Sequence, residues 1–282
     1  MKISDAFNLI TEKLTEAGVD SPAFDTSELI SFIMGKPYSK AFHGNDELCE
    51  DDFAKLSDLA SRRAKGEPLQ YILGYWEFYG FPFKVGKGVL IPRDDTEVCL
   101  RASFSHLDKI SSPKILDLCA GSGTLAVTLK KLYPKAEVTA VEISEDAFYY
   151  LKENAKLNEA HINLINGDIF NVYKDFEDSY FDLIISNPPY LTKEELKTMQ
   201  KELYFEPELA LDGGEDGLDF YRGIINFYTS KLKIGSQLIF ELDSLQAEYT
   251  QSLMEKKNFR EIEIFDDLGG IHRAIKGTLF EV

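Results

Sequence analysis

Apolar residues at the start of the chain recur at helical spacing: Ile3, Phe7, Ile10 and Leu14 are four, three and four positions apart and share one face. Gly18 ends that run. Asp25 and Glu28 have the spacing of a capping box ahead of Leu29, Phe32 and Ile33, and Gly35 with Pro37 stops the second helix. A third pattern passes through Phe53, Leu56 and Ala60 to Arg63, with Asp51 and Asp52 at its start, where the helix dipole favours acids. The acidic run Asp46–Asp52 reads as a solvated helix start. Together these patterns predict a small all-helical domain over residues 1–70.

Gly66 and Pro68 then break the helical period. Trp76–Ile91 is rich in aromatic and β-branched residues and is punctuated by Gly80, Pro82, Gly86 and Gly88, which predicts a β-hairpin linker over 71–95. Trp76 and its aromatic neighbours are expected to pack the hairpin. From Lys114 short apolar runs alternate with helical patterns. Strands are predicted at Ile115–Leu118, Val138–Ile143, Ile162–Ile165, Phe181–Ser186 and Gln237–Leu242, with a closing pair at Ile262–Phe265 and His272–Ile275. Helices are predicted at Leu125–Leu132, Phe148–Leu157 and Leu218–Leu232, with another after the fifth strand. Such alternation predicts an α/β, doubly wound, largely parallel sheet over residues 96–282.

Composition narrows the function classes. With 282 residues, 44% of them hydrophobic, the chain can bury a substantial core, so disorder throughout is excluded. No apolar run approaches the ~20 residues of a membrane span. The N-terminus carries Lys2 and Asp5 and has neither a signal-peptide core nor an Arg-rich transit pattern, so a cytoplasmic protein without membrane attachment is expected. Cys49, Cys99 and Cys119, with four scattered histidines, form neither a disulfide frame nor a zinc cluster, and no metal is expected. A net charge of −17 argues against a generally basic nucleic-acid surface.

Two segments carry chemistry. The first strand runs into Asp117-Leu-Cys-Ala-Gly-Ser-Gly-Thr124, where Gly121 and Gly123 permit a tight turn and close approach of a ligand to the backbone. Glu142 ends the second strand about twenty residues on, where nucleotide-binding α/β proteins place an acid against ribose hydroxyls. Ala126 replaces the last glycine of a dinucleotide fingerprint and there is no Walker lysine, so a nucleoside without pyrophosphate fits better. The second segment is Asn187-Pro-Pro-Tyr190, directly after a strand. The Asn187 side-chain carbonyl and the Pro188 backbone carbonyl can accept both hydrogens of a planar NH₂ group, and Tyr190 can stack on its plane. A weakly nucleophilic nitrogen would thereby be held in line with an electrophilic carbon. Cys119, with no histidine nearby in sequence, is not expected to be a nucleophile.

These residues, with Asp168 after the third strand, resemble the amino-group enzymes among class I S-adenosylmethionine-dependent methyltransferases. Gly66-Glu-Pro-Leu-Gln-Tyr-Ile-Leu-Gly-Tyr-Trp-Glu-Phe-Tyr-Gly80, Leu90-Ile-Pro-Arg-Asp-Asp-Thr-Glu97, Phe205-Glu-Pro207 and the glycine loop Leu211–Gly217 narrow the likeness. They resemble the PrmC/HemK family of protein-glutamine methyltransferases, which modify the Gly-Gly-Gln loop of peptide chain release factors. The likeness spans essentially the whole chain.

The resemblance implies a Rossmann-like doubly wound sheet with an antiparallel last strand behind a helical substrate-recognition domain. It implies S-adenosylmethionine held by Asp117, Cys119, Ala120, Gly121, Ser122, Gly123, Glu142, Asp168, Ile169 and Asn187. Asn187, Pro188 and Tyr190 would carry the reaction. Pro189, Phe205, Glu206 and Pro207 would join them in contacting a release factor, with the enzyme a monomer that needs no nucleic acid. The sequence departs from the family at Cys119 and Ala120 in the glycine turn, at Glu142 for aspartate, at Ile169 for an aromatic, at Asp94 for proline and at Tyr204 for arginine. A positive φ at Cys119 would be costly. Alternative functions are an RNA or DNA exocyclic-amino methyltransferase, since the same acceptor pair suits a flipped base, and a cofactor-binding regulator without catalysis.

Overall fold

The computed structural model describes residues 1–44, 46–199 and 201–281. Two units form: Met1–Tyr75 with Gln200–Phe205, and Trp76–Met199 with Glu206–Val282.

In the first unit the predicted apolar face is used. Helix α1 (Ile3–Glu16) buries Ile3, Ala6, Ile10 and Leu14, while Phe7 is only half buried and stacks on Tyr38, with ring centroids 4.8 Å apart. Helix α2 (Pro22–Met34) corrects the expected capping box. Ser21 precedes it with no side-chain cap, and Asp25 turns inward, where its Oδ2 accepts from Arg63 Nε at 2.6 Å. The helix starts three residues before Asp25, so this carboxylate lies inside the first turn and not at the cap position. Leu29 and Ile30 fill the core and Phe32 is exposed. Helix α3 (Tyr38–His43) has no counterpart in the sequence pattern. Helix α4 (Glu50–Ala64) packs Leu56 and Ala60 inward, and the acids of its first turn oppose Arg62 and Arg63 in its last. The break at Gly66 and Pro68 separates two helices, because Pro68 caps a short helix α5 (Leu69–Leu73) whose backbone it pre-sets.

Next comes a hairpin, β1 (Tyr75–Phe78) and β2 (Phe81–Lys84), which belongs to the second unit from Trp76 on. Tyr79 and Gly80 both take positive φ in its two-residue turn, as the twist of a hairpin demands. Then follow α6 (Glu97–Leu107), β3 (Lys114–Leu118), α7 (Thr124–Leu132), β4 (Glu137–Glu142), α8 (Glu145–Leu157), β5 (Asn163–Asn166), α9 (Ile169–Val172) and β6 (Phe181–Ser186). Next come α10 (Lys193–Lys197), α11 (Asp219–Tyr228), β7 (Leu232–Glu241), α12 (Ala247–Lys256), β8 (Phe259–Asp266) and β9 (His272–Leu279). The α11 helix stops at Tyr228, short of its predicted end, because Leu232 is drawn into the sheet opposite Phe181.

The seven-stranded sheet runs β5-β4-β3-β6-β7-β9-β8, parallel except for β9, which lies antiparallel to both neighbours. This is the expected doubly wound sheet with an antiparallel last strand. One face packs against α6, α7 and α8 through residues such as Cys99, Leu129 and Leu151. The other packs against α9, α11 and α12 through Ile169, Tyr221, Tyr228 and Met254. Strand order reverses between β3 and β6, and open α/β sheets bind ligands at the C-terminal ends of the strands flanking such a switch. Register sets what meets there. Leu118 is level with Val141 on one side and Ser186 on the other, so Cys119, Glu142 and Asn187 leave the sheet in one row.

Candidate active site

The link from β3 to α7 is Cys119–Gly123. Cys119, Gly121 and Gly123 take φ of 59°, 55° and 87°. At Gly123 a Cβ would lie 2.6 Å from Leu151 Cδ1, so only glycine lets α7 start against α8. Cys119 adopts the left-handed conformation with a side chain, at a cost of about 1–2 kcal/mol. The turn closes through Ala120 N–H donating to the Val141 carbonyl at 3.0 Å and Gly123 N–H to the Ala120 carbonyl at 2.8 Å.

Glu142 ties this turn to the next. Its Oε2 accepts from Gly121 N–H at 2.8 Å and its Oε1 from Ser144 N–H at 2.7 Å. Burial raises its pKa, and those N–H groups oppose the rise. Asp117 is buried more deeply. Its Oδ2 accepts from Ala126 N–H at 3.0 Å, while Oδ1 has no partner. Burial pushes its carboxyl up to about 8 against the pull of the Ala126 N–H. The Cys119 thiol is raised well above its ordinary range by burial, which leaves no thiolate. Asp168 caps α9, with Oδ1 accepting from Phe170 N–H and Oδ2 from Asn171 Nδ2, both at 2.8 Å.

Asn187 follows β6 and donates from Nδ2 to Thr96 Oγ1 at 3.3 Å. Pro188 and Pro189 are buried and Tyr190 is half buried. The glycine loop supports Tyr190: Gln246 Nε2 donates to the Tyr190 carbonyl at 2.7 Å, and a Cβ on Gly217 would lie 2.3 Å from that oxygen. Burial raises the Tyr190 phenol far above its ordinary pKa, so it stays protonated.

A cavity of about 260 Å³ is lined by Cys119, Gly121, Glu142, Asp168, Ile169, Asn187, Pro189 and Pro207, with Ile143, Ala147, Phe170 and Phe220 among its apolar walls. A smaller cavity of about 40 Å³ is lined by Arg93, Thr96, Asp117, Ala120 and Ser122, and shares Leu90, Cys119, Gly121 and Asn187 with the first. Asn187 therefore borders both.

The PrmC N-terminal domain family matches residues 5–74, and the methyltransferase small domain family matches residues 96–212. A release factor glutamine methyltransferase from Fusobacterium nucleatum is 37% identical, covering 96% of this chain and 77% of the relative. Another from Geobacter sulfurreducens is 38% identical over 94% of this chain and 93% of the relative. The chain belongs to the release factor glutamine methyltransferase family. A methyltransferase from Pyrococcus furiosus shares the fold of this family member at a TM-score of 0.52, with 17% identity over 72% of this chain and 91% of that one.

The cofactor of this methyltransferase is S-adenosylmethionine, and the larger cavity suits it chemically. Each Glu142 oxygen keeps a second lone pair that could accept a ribose hydroxyl. Ile143, Ala147, Ile169 and Phe170 offer an apolar slot that could hold a flat base, and the Asp168 carboxylate stands at its edge. Among the described residues no helix is long and apolar enough to cross a membrane, and no cluster of His, Cys, Asp and Glu is placed to hold a metal.

Several site candidates stand apart from both cavities: Gly123, Pro188, Tyr190, Phe205 and Glu206 do not line them. Phe205 belongs to the helical unit. Glu206 is engaged elsewhere, its Oε2 accepting from Ile91 N–H at 2.9 Å and its Oε1 pairing with Arg93. It braces the Leu90–Glu97 segment that brings Thr96 to Asn187. Thr96, Ile143, Ser144 and Phe220 were not singled out as site residues from sequence. Thr96 lies inside a segment that the family resemblance had marked, whereas Phe220 carries no local signal.

Proposed function

We propose that the chain transfers the methyl group of S-adenosylmethionine to the side-chain amide nitrogen of the glutamine in the Gly-Gly-Gln loop of peptide chain release factors. The observation that carries this assignment is Asn187, which borders both cavities and commits its NH₂ to Thr96. Its Oδ1 is thereby the atom left to accept a substrate N–H. The cofactor supplies an electrophilic methyl group on a sulfonium. The amide nitrogen that receives it is a weak nucleophile, because its lone pair is delocalised. Asn187 Oδ1 and the Pro188 carbonyl would accept its two N–H groups, orient it, and stabilise the positive charge that grows as the C–N bond forms. Tyr190, protonated, would cover the plane of the amide, and the proton would leave after transfer. Glu142, Asp168 and the Cys119–Gly123 turn would hold the cofactor, and Pro207 would contact the substrate.

In this scheme the helical unit recognises the intact release factor. The enzyme acts as a cytoplasmic monomer, and its net charge of −17 disfavours an RNA or DNA acceptor. A regulator would have no use for an acceptor pair at the end of β6. The decisive experiment is mass spectrometry of a bacterial-type release factor after incubation with enzyme and cofactor. A single methyl group is expected on the Gly-Gly-Gln glutamine, and none when that residue is glutamate. Two carboxylate oxygens against two carbonyl acceptors should cost at least about 1–3 kcal/mol. Methylation elsewhere, or of RNA only, would overturn the assignment.

A further inference from the structure

The sheet register places another carboxylate beside Asn187. Ser186 of β6 is level with Phe240 of β7, so Asn187 and Glu241 leave adjacent parallel strands side by side. Glu241 is 3% exposed, and among the described residues it has no ion-pair partner. Thr96 and Asn187 stand close enough to its carboxylate to favour the charged form, and its Oε2 has no hydrogen-bond partner. Thr96 is also 3% exposed and accepts from Asn187 Nδ2 at 3.3 Å. A carboxylate can only accept. Turning the Asn187 amide over would set its oxygen against that carboxylate and leave its NH₂ facing the cavities.

Resting on the proposed role of Asn187, we propose that Glu241 is a positioning residue: with Thr96 it locks the Asn187 amide so that Oδ1 faces the acceptor amide of the substrate. A buried acceptor without a cation is costly, and here that cost fixes which end of an asparagine meets the substrate. Thr96 relays the constraint, since its hydroxyl can accept from Asn187 while donating to Glu241.

The lock depends on ionisation. Burial pushes the Glu241 carboxyl up to about 7, opposed by the Thr96 hydrogen bond, by Arg273 on β9 and by Asn187, and reinforced by the Asp95 charge. Cys99 on α6, Tyr221 on α11 and Tyr190 also face it, and burial keeps all three protonated. Protonated Glu241 gains an O–H donor, which suits Asn187 Oδ1 and releases the amide to turn over. Turnover should therefore fall as pH drops through the Glu241 pKa, with cofactor affinity unaffected.

The test compares Glu241→Gln, Thr96→Val, Thr96→Ser and Asn187→Ala in the full-length enzyme. It reads kcat and KM for intact release factor on either side of pH 7, and cofactor binding by calorimetry. Glu241→Gln should bind cofactor normally, lose roughly tenfold to a hundredfold in kcat and lose the acid limb of the profile. Thr96→Ser should keep wild-type turnover and Thr96→Val should not. If Glu241→Gln fails to bind cofactor, the Thr96 pair decides: equal turnover of its two variants overturns the proposal. A Glu241→Gln enzyme with full kcat and an unchanged acid limb, beside an inactive Asn187→Ala, overturns the positioning role alone. Normal methylation by Asn187→Ala overturns the Asn187 assignment and the positioning role with it.

Discussion

In the helical unit the buried Asp25 carboxylate meets the Arg63 guanidinium at 2.6 Å, and Glu202 pairs with the same guanidinium. In the methyltransferase unit Asp117, Glu142 and Glu241 are also buried, yet none has an ion-pair partner among the described residues. Burial raises the pKa in both places, but only Asp25 has a bonded cation pulling it back. Through Arg63, the pair ties α2, α4 and Glu202 together within one unit. Of the unpaired ones, Glu142 is held by two backbone N–H donors and Asp117 by one, and Asp117 Oδ1 and Glu241 Oε2 have no hydrogen-bond partner. Charge compensation holds shape in the helical unit, as it does at Asp182 and Glu206 of the methyltransferase unit, whereas the unpaired three lie at or near the ends of β3, β4 and β7.

The strongest way to break this contrast is Arg63→Ala. Removing one partner of a buried pair leaves an uncompensated charge and should cost about 3–5 kcal/mol. Urea denaturation should show that loss, and cofactor affinity measured under folded conditions should not change. Glu142→Ala probes the other side. It removes a carboxylate assigned to the ribose and should weaken cofactor binding by roughly 1.5–3 kcal/mol, about tenfold to a hundredfold, in a chain that stays folded. Calorimetry giving wild-type affinity would refute that assignment.

Asp117 sharpens the contrast through pH. Its folded pKa of about 8 lies above the ordinary 3.8, so the folded chain binds the extra proton and stability from this group is lost as pH rises between those values. Across that window wild type should lose up to about 1.4 kcal/mol per pH unit relative to Asp117→Asn. Parallel denaturation midpoints for the two proteins would reveal a group without that shift. The smallest effect expected is at Cys119, where glycine would relieve the left-handed backbone but add freedom to the unfolded chain. Cys119→Gly should gain no more than about 1 kcal/mol, read from the thermal midpoint.

The sequence predicted most of the sheet because each strand announces itself locally. The runs around Leu116, Val141 and Ile184 are mostly apolar, and a glycine turn, Glu142 and Asn187 lie at or just beyond their ends. Glu142 and Asn187 were legible for the same reason, each closing such a run. Helix α6 has a weak signal: it buries Val98, Cys99, Leu100, Ala102, Ser103 and Leu107 over more than half its circumference, and the polar Ser103 and half-buried Phe104 blur the boundary of its apolar face. Asp25 had the spacing of a cap, and only a partner 38 residues away shows that its carboxylate faces inward. Thr96 meets Asn187 across 91 residues of sequence. Its segment, Leu90–Glu97, carries the family resemblance, but nothing in the residue itself points to Asn187. Glu241 ends β7 much as Glu142 ends β4, but its role depends on which strand lies next to it, which the sequence does not state.

Glu142 joins the Gly121 and Ser144 amides through one carboxylate, and this bears on the entropy of binding. Two turns that would otherwise fluctuate independently are clasped by the protein's own atoms, so their ordering entropy is spent during folding. A nucleoside arriving at this cleft meets these two turns already joined. The part of the affinity that comes from these two turns therefore carries no further ordering cost on binding.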